Sequence, residues 1–153
     1  MEKLIIHPLS EYKDPNAYLI IEFVRDELFC YFKCLNKKKV ERNIFIHENF
    51  LGLLQVEGLI SIKHNRYTKL HLYPTSYENI HHSYYYEVLN SSWVNEIIAY
   101  KNKNDPDWRK YDQRVYRHFI LENYEYWVEI IASNIKFKKV KKKKNLLKLW
   151  DSI

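Results

Sequence analysis

Residues 17–35, AYLIIEFVRDELFCYFKCL, decide the fold class of this 153-residue chain. Two apolar runs rich in β-branched and aromatic residues, 17–24 and 28–35, flank a short polar break at residues 25–27. This spacing is typical of a β-hairpin with a tight polar loop. The segment therefore predicts a sheet that is built from hairpins.

Alternate residues of the second run share one face of the predicted strand: Leu28, Cys30, Phe32 and Cys34. We expect this face to lie in the core. The two cysteines are the only ones in the chain, and four strand positions separate their Cα atoms by about 13 Å, beyond the reach of a disulfide. We therefore expect reduced, buried thiols in a cytoplasmic protein.

Similar patterns predict further strands at residues 59–63 and 67–73, at 83–89, and at 115–122 and 126–133, with the last strand extending toward residue 140. A helix is predicted to start at residues 90–92, whose side-chain oxygens can cap its first turn, and to run to about Lys101. Its apolar residues repeat with helical spacing: Trp93, Val94, Ile97 and Ile98.

Residues 46–58 allow two interpretations. Ile46, Phe50, Leu53 and Leu54 fall on a helical stripe with Gly58 at the position of a C-terminal cap, which favours a helix. The alternative is a pair of strands that turn at residues 57–58. We prefer the helix at this point.

Together these elements predict a single α+β domain over residues 1–140, in which a mainly antiparallel sheet of hairpins carries one or two helices. A lysine-rich extension, residues 141–153, is expected to follow it. This extension contains a short amphipathic segment around Leu146, Leu147 and Trp150.

Two segments, NSSW at residues 90–93 and RHFILENYEYWVEIIA at residues 117–132, resemble elements of small uncharacterised bacterial proteins of unknown function. In such proteins a tryptophan-led helix precedes a hairpin that ends in glutamate, two apolar residues and alanine. The resemblance covers about the C-terminal third of the chain. It implies fold organisation and assigns no role to any residue.

Composition and motif spacing exclude several functional classes. Gly52 and Gly58 are the only glycines, so the chain has no glycine-rich phosphate loop. The apolar part of residues 1–9 is too short for a signal peptide or a transmembrane segment, and we expect neither. No cofactor is expected.

Histidines offer the main candidates for catalysis or metal binding. His71 and His118 with Lys69 could act on a phosphate ester, but such residues also occur on ordinary exposed strand faces. His81 and His82 are adjacent, so on a strand they point apart, and no set of residues has the spacing of a metal site. We therefore assign no catalytic residue and no metal ligand.

A lysine run is the strongest departure from average composition. The formal net charge is +6, and residues 136–148 contain eight lysines and no acid. The candidate nucleic-acid-binding residues are Lys136, Lys138, Lys139, Lys141, Lys142, Lys143 and Lys144. Basic runs also bind anionic membranes or serve only as solvated tails, and both alternatives stay open.

Tyrosines form a second candidate surface, because these rings supply large contact areas in protein interfaces. The candidate partner-binding residues are Tyr73, Tyr84, Tyr85 and Tyr86. We expect a non-enzymatic binding module that contacts another protein, or a second copy of itself, through this aromatic face. A nucleic-acid-binding protein is the alternative, and a small hydrolase or nuclease without a local motif is the third hypothesis.

Overall fold

The computed structural model describes residues 1–65, 84–123 and 126–151, with only the backbone of Tyr84 and Asn123. Within these ranges the strands are β1 (Lys3–Pro8), β2 (Tyr12–Lys13), β3 (Ile20–Val24), β4 (Glu27–Leu35), β5 (His47–Glu57), β6 (Ser61–Asn65), β7 (Tyr84–Leu89), β8 (Arg117–Asn123), β9 (Tyr126–Ala132) and β10 (Asn134–Lys141). The helices are α1 (Lys37–Val40), α2 (Ser92–Asn104) and α3 (Lys144–Asp151), with a 3-10 turn at Trp108–Lys110.

The strands form two antiparallel sheets. Sheet A has the order β1-β7-β8-β9-β6. Sheet B has the order β10-β5-β4, and both β2 and β3 pair with the remaining edge of β4. The chain thus mixes helices with antiparallel sheets, and strands dominate.

The inner faces of the two sheets pack on each other and form the main core. Sheet B contributes alternate residues of β4 and β5, and sheet A contributes alternate residues of β8 and β9. The fully buried members include Leu28, Cys30, Phe32, Val56, Phe119, Val128, Ile130 and Ala132. Burial of each large apolar side chain in such a core stabilises the fold by about 1.5–3 kcal/mol.

Helices cover parts of the outer faces. α2 and the 3-10 turn pack on sheet A, where the buried Trp108 of the turn clusters with Ile131 of β9. α3 packs on sheet B through Leu146 and Trp150, which contact Tyr31 and its neighbours on β4 and β5.

A bent two-stranded ribbon connects the sheets. β5 pairs with β10 in sheet B, and their continuations β6 and β9 pair in sheet A. The ribbon bends at Gly58, which has a φ of 64°, and at Ser133, whose N–H donates to the Glu57 carbonyl. A side chain at Gly58 would collide with Ser133, so glycine suits this bend sterically as well as conformationally.

Most of the predicted elements are confirmed within the described residues. The hairpin of β3 and β4 turns at residues 25–26, and the hairpin of β8 and β9 lies where the alternation placed it. α2 begins after its cap Ser91 and continues three residues beyond the predicted end at Lys101. The second strand of the hairpin expected at residues 59–73 lies outside the described residues.

Two elements differ from the predictions. The helix preferred for residues 46–58 is wrong, because this segment is β5, and Gly58 lies at the bend after the strand. The strand expected to continue toward residue 140 is instead two strands, since the chain leaves sheet A at Ser133 and enters sheet B as β10. Residues 141–151 do not separate from the domain, because α3 packs on it.

None of the helices in the described ranges has both the length and the apolar character needed to cross a lipid bilayer.

Candidate functional site

Antiparallel pairing brings two distant basic segments to one end of sheet B. β4 ends and β5 begins at this end, where Leu35 pairs with His47. β10 ends there too, since Lys141 pairs with Phe50. Residues 36–46 and 141–144 are about a hundred positions apart in the sequence, yet they extend from the same end of the sheet.

The connection over residues 36–46 is held by its own hydrogen bonds. Asn36 caps α1 by accepting from the Lys39 N–H with its side chain, and its own N–H donates to the Ile46 carbonyl at 2.8 Å. The Ile44 N–H donates to the Lys39 carbonyl, and Asn43 adopts a φ of 59°, which asparagine tolerates well. The loop is therefore an ordered structure.

The basic end, as we name this surface, consists of Lys37, Lys38, Lys39, Arg42, Lys141, Lys142, Lys143 and Lys144. All eight side chains are exposed. Lys142 and His47, the residue that follows the connection 36–46, line the same small cavity of about 50 Å³, so the segment 141–144 lies against the start of β5. The nearby acids are Glu41, Glu48 and Asp14, whose carboxylate lies 2.6 Å from His47 Nε2, so the eight cations remain in excess.

Three consecutive apolar residues lie exposed beside these cations. The exposed fractions are 45% for Ile44, 69% for Phe45 and 45% for Ile46. Single exposed apolar residues are common, whereas three in succession expose more contiguous apolar surface than scattered residues do. We name these residues the apolar tip.

The predicted lysine run is divided by the structure. On β10, Lys136 forms an ion pair with Glu57 at 2.8 Å, which raises the pKa of Lys136, and Lys139 forms one with Glu11 at 3.0 Å. Lys138 donates to Gln55 at 2.9 Å. These three lysines therefore have partners within the fold.

The lysines of the run that follow Lys139 have fewer partners within the fold. Lys143 reaches the Tyr31 hydroxyl at 3.4 Å. Lys141, Lys142 and Lys144 have no acidic partner among the residues that the structure describes. The lysines of the run that have no acidic partner among the described residues thus belong to the basic end.

Sequence reasoning missed the cations of residues 37–42 and the apolar tip. Lys37, Lys38 and Lys39 are adjacent in the sequence, but the helical interpretation of residues 46–58 assigns Ile46 to a helical stripe instead of an exposed loop. The signal that could have revealed the site is the run KKK followed closely by IFI in one connection.

The tyrosine surface is not present in the form expected. Tyr86 is buried in the outer cluster of sheet A with Leu4 and Trp127, which corrects its assignment to an exposed contact face. Tyr85 is half-buried and stacks on His7 with ring centroids 4.9 Å apart. Tyr73 and the side chain of Tyr84 lie outside the described residues.

A buried polar network joins α2 to sheet A. Ser91 Oγ accepts from the Val94 N–H at 3.1 Å and lies at hydrogen-bond distance, 2.8 Å, from His118 Nδ1. His118 Nε2 then donates to Glu129 Oε1 at 2.9 Å. Ser91, His118 and Glu129 are all buried. An open cleft of about 250 Å³ borders Ser91 and His118.

The connectivity of this network is that of a serine–histidine–carboxylate relay, but the helix start is unsuited to stabilise an oxyanion. The Ser92 N–H donates to Glu2 Oε1 at 2.7 Å, so this amide already has a carboxylate as its hydrogen-bond acceptor. The Trp93 ring packs edge-to-face with the imidazole of His118 at a centroid distance of 5.2 Å. We interpret the network as a structural link between α2 and sheet A.

A second polar cluster lies on the inner face of sheet A. Arg117 donates to both carboxylate oxygens of Glu87, at 2.7 and 2.9 Å, and His7 Nε2 lies 2.9 Å from Glu87 Oε1. Burial alone would raise the pKa of Glu87, but the hydrogen bonds from Arg117 and His7 outweigh it and hold the pKa below 4.5. The Glu87 carboxylate is thus paired within the fold, and we interpret the cluster as structural.

Neither metal binding nor thiol chemistry finds support among the described side chains. No group of three or more histidine, cysteine, aspartate or glutamate residues there could hold a metal ion. Cys30 and Cys34 are unpaired, and burial raises the pKa of each thiol to about 12. His71, His81, His82 and Lys69 lie outside the described residues, so the trio with His118 cannot be assembled from them.

Comparisons with protein families, with curated proteins and with solved structures find no match to this chain. The basic end and the apolar tip are therefore interpreted from their own chemistry.

Proposed function

We propose that this protein is a non-enzymatic binding module whose basic end docks on a partner that presents a dense array of negative charges. One observation carries the proposal: cations from residues 37–42 and 141–144 converge at one end of sheet B. A charged surface of this kind attracts polyanions over a distance comparable to the Debye length, about 8 Å at physiological ionic strength.

The ordered backbone of the basic end favours a binding surface over a solvated tail. A tail contributes charge without a fixed arrangement, whereas residues 37–42 belong to a loop with its own hydrogen bonds. The segment 141–144 is fixed on one side by β10 and on the other by α3, which is anchored through Leu146. Ordered cations lose less conformational entropy when they bind.

Earlier alternatives fit the geometry less well. A protein partner on the tyrosine face would have to bind without Tyr86, since this ring is already in the core. A nucleic acid is one possible polyanion, and it would use the lysines that lie beyond the paired ones on β10. A cytoplasmic location is part of the proposal, and the unpaired thiols of Cys30 and Cys34 are compatible with it.

Heparin chromatography tests the proposal with a simple polyanion. The variant Lys38→Glu with Lys142→Glu lowers the net charge from +6 to +2, and we expect it to elute at a clearly lower salt concentration than the wild type. The matched control is Lys103→Glu with Lys110→Glu, which makes the same charge change on exposed residues near sheet A. It should elute close to the wild type.

Equal shifts for the two variants would show that only net charge matters and would reject the basic end as a site. Failure of the wild type to bind heparin at low salt would reject the proposal altogether.

A further inference from the structure

We infer that the anionic partner is a lipid bilayer, in which the apolar tip inserts between headgroups while the basic end contacts their phosphates and carboxylates. This inference rests on the proposed function and gives the partner of the same site. Its basis is the position of Ile44, Phe45 and Ile46 beside the cations of one ordered loop.

Electrostatics alone does not account for the apolar tip. Nucleic acids bind extended surfaces through phosphate contacts and through bases that stack on aromatic rings. Phe45 could stack on a base, but the side chains of Ile44 and Ile46 have no flat π-face to offer. A membrane interface accepts aliphatic and aromatic side chains alike, because its acyl boundary is apolar.

The backbone of the tip is also suited to an apolar environment. An unpaired N–H or C=O is costly to bury in lipid, because no water is present to bond it. Here the Ile44 N–H already donates to the Lys39 carbonyl, and the Ile46 carbonyl already accepts from the Asn36 N–H. Two polar groups of the tip therefore need no partner from the solvent.

The surrounding cations are close enough in sequence to the apolar tip to contact lipid headgroups while the tip inserts between them. Arg42 and Lys39 are two and five positions before Ile44, and the long stems of such side chains can follow the apolar surface while their charges reach the headgroups. Each basic residue near an anionic membrane strengthens partitioning by roughly fivefold. The cations of residues 141–144 add to this attraction at the same end of sheet B.

Sedimentation with lipid vesicles tests the inference. We expect the wild-type protein to sediment with vesicles of phosphatidylcholine mixed with phosphatidylserine and to stay in solution with phosphatidylcholine alone. Phe45→Ser should weaken binding to the mixed vesicles by roughly tenfold, because it removes the central apolar side chain, and leave retention on heparin unchanged.

The matched control is Val115→Ser, because Val115 has the same exposed fraction of 69% and lies two residues before β8 of sheet A, away from the basic end. Its vesicle binding should equal that of the wild type. Both substitutions are at exposed positions, and equal melting temperatures will confirm that the variants fold.

Unchanged vesicle binding by Phe45→Ser would reject insertion of the tip. Wild-type protein that binds heparin but not the mixed vesicles would reject the membrane and leave the proposed function standing. Absence of binding to heparin and to vesicles would reject both.

Discussion

The indole of Trp150 donates a hydrogen bond from Nε1 to the carbonyl oxygen of Tyr18, with 2.6 Å between the two atoms. These residues are 132 positions apart, and the bond fixes α3 to the segment that leads into β3. Lys33 Nζ lies over the Trp150 ring, 5.5 Å from the ring centroid. The end of the described chain is thus an integral part of the sandwich.

Trp150→Ala should therefore destabilise the whole domain. We expect a loss of about 2–4 kcal/mol in the free energy of unfolding, since the change removes a large buried ring and leaves the Tyr18 carbonyl without this donor. Urea denaturation followed by circular dichroism measures it. Leu149→Ala is the control, because Leu149 is 49% exposed and should cost less than about 0.5 kcal/mol. Similar losses for both variants would contradict the docked position of α3.

Ser91→Ala should cost about 1–3 kcal/mol of folding stability. The substitution removes the cap of α2 and leaves the buried Nδ1 of His118 without its hydrogen-bond partner. Ser92→Ala is the natural comparison, since Ser92 is exposed and its hydroxyl bonds the Glu2 carboxylate. We expect it to cost less than half as much when the thermal unfolding of both variants is followed by circular dichroism. The reverse order would place the main connection of α2 at Glu2.

The Glu87 cluster predicts a stability that depends on acid pH. Because the pKa of Glu87 in the folded protein lies below 4.5, its contribution is fully present above about pH 5 and is lost as the pH falls through the folded value. Glu87→Gln should lower the free energy of unfolding at pH 7 by about 1–3 kcal/mol. The variant should then lose less stability than the wild type between pH 5 and pH 3, as measured by urea titrations at each pH. Parallel pH profiles would contradict this assignment.

Gly52 is predicted to tolerate no side chain. It lies opposite Phe32 across β4 and β5, and a Cβ atom built at position 52 would overlap the Phe32 ring. Gly52→Ala should therefore destabilise the protein by about 1–3 kcal/mol through overpacking. Phe32→Leu alone should also destabilise it, but the double variant should be more stable than the sum of the two losses implies. Strict additivity in denaturant unfolding would show that the two residues do not interact.

The hairpins could be predicted because their pattern is local. β4 and the pair β8 and β9 alternate between core and outer residues, and short polar breaks mark their turns. Ser91 likewise signals the start of α2 from the sequence alone, because its side chain acts on the next three residues.

β5 was misassigned for a physical reason. Leu54 and Val56 face the inner core, whereas Leu51 and Leu53 face α3 on the opposite side. A strand that is covered on both faces has no alternation of apolar and polar residues, and its leucines then imitate a helical stripe. The cover for the outer face comes from α3, which follows nearly ninety residues later.

The basic end could not be predicted because it depends on a non-local strand pairing. The lysine run was evident, but only the register of Lys141 with Phe50 places it beside residues 37–42. The register also separates the run into paired and available lysines, since Lys136 and Lys139 meet acids on β5 and near β2. No local pattern contains this information.

The bent ribbon has a consequence for the order in which the chain can fold during synthesis. β5 and β6 emerge from the ribosome first, but their partners β9 and β10 are translated about sixty to ninety residues later. The hairpin of β3 and β4 can form early, whereas neither layer of the sandwich closes until the segment around Ser133 is available. We therefore expect a slow, late collapse that is characteristic of high contact order, with nascent strand edges exposed meanwhile to chaperones.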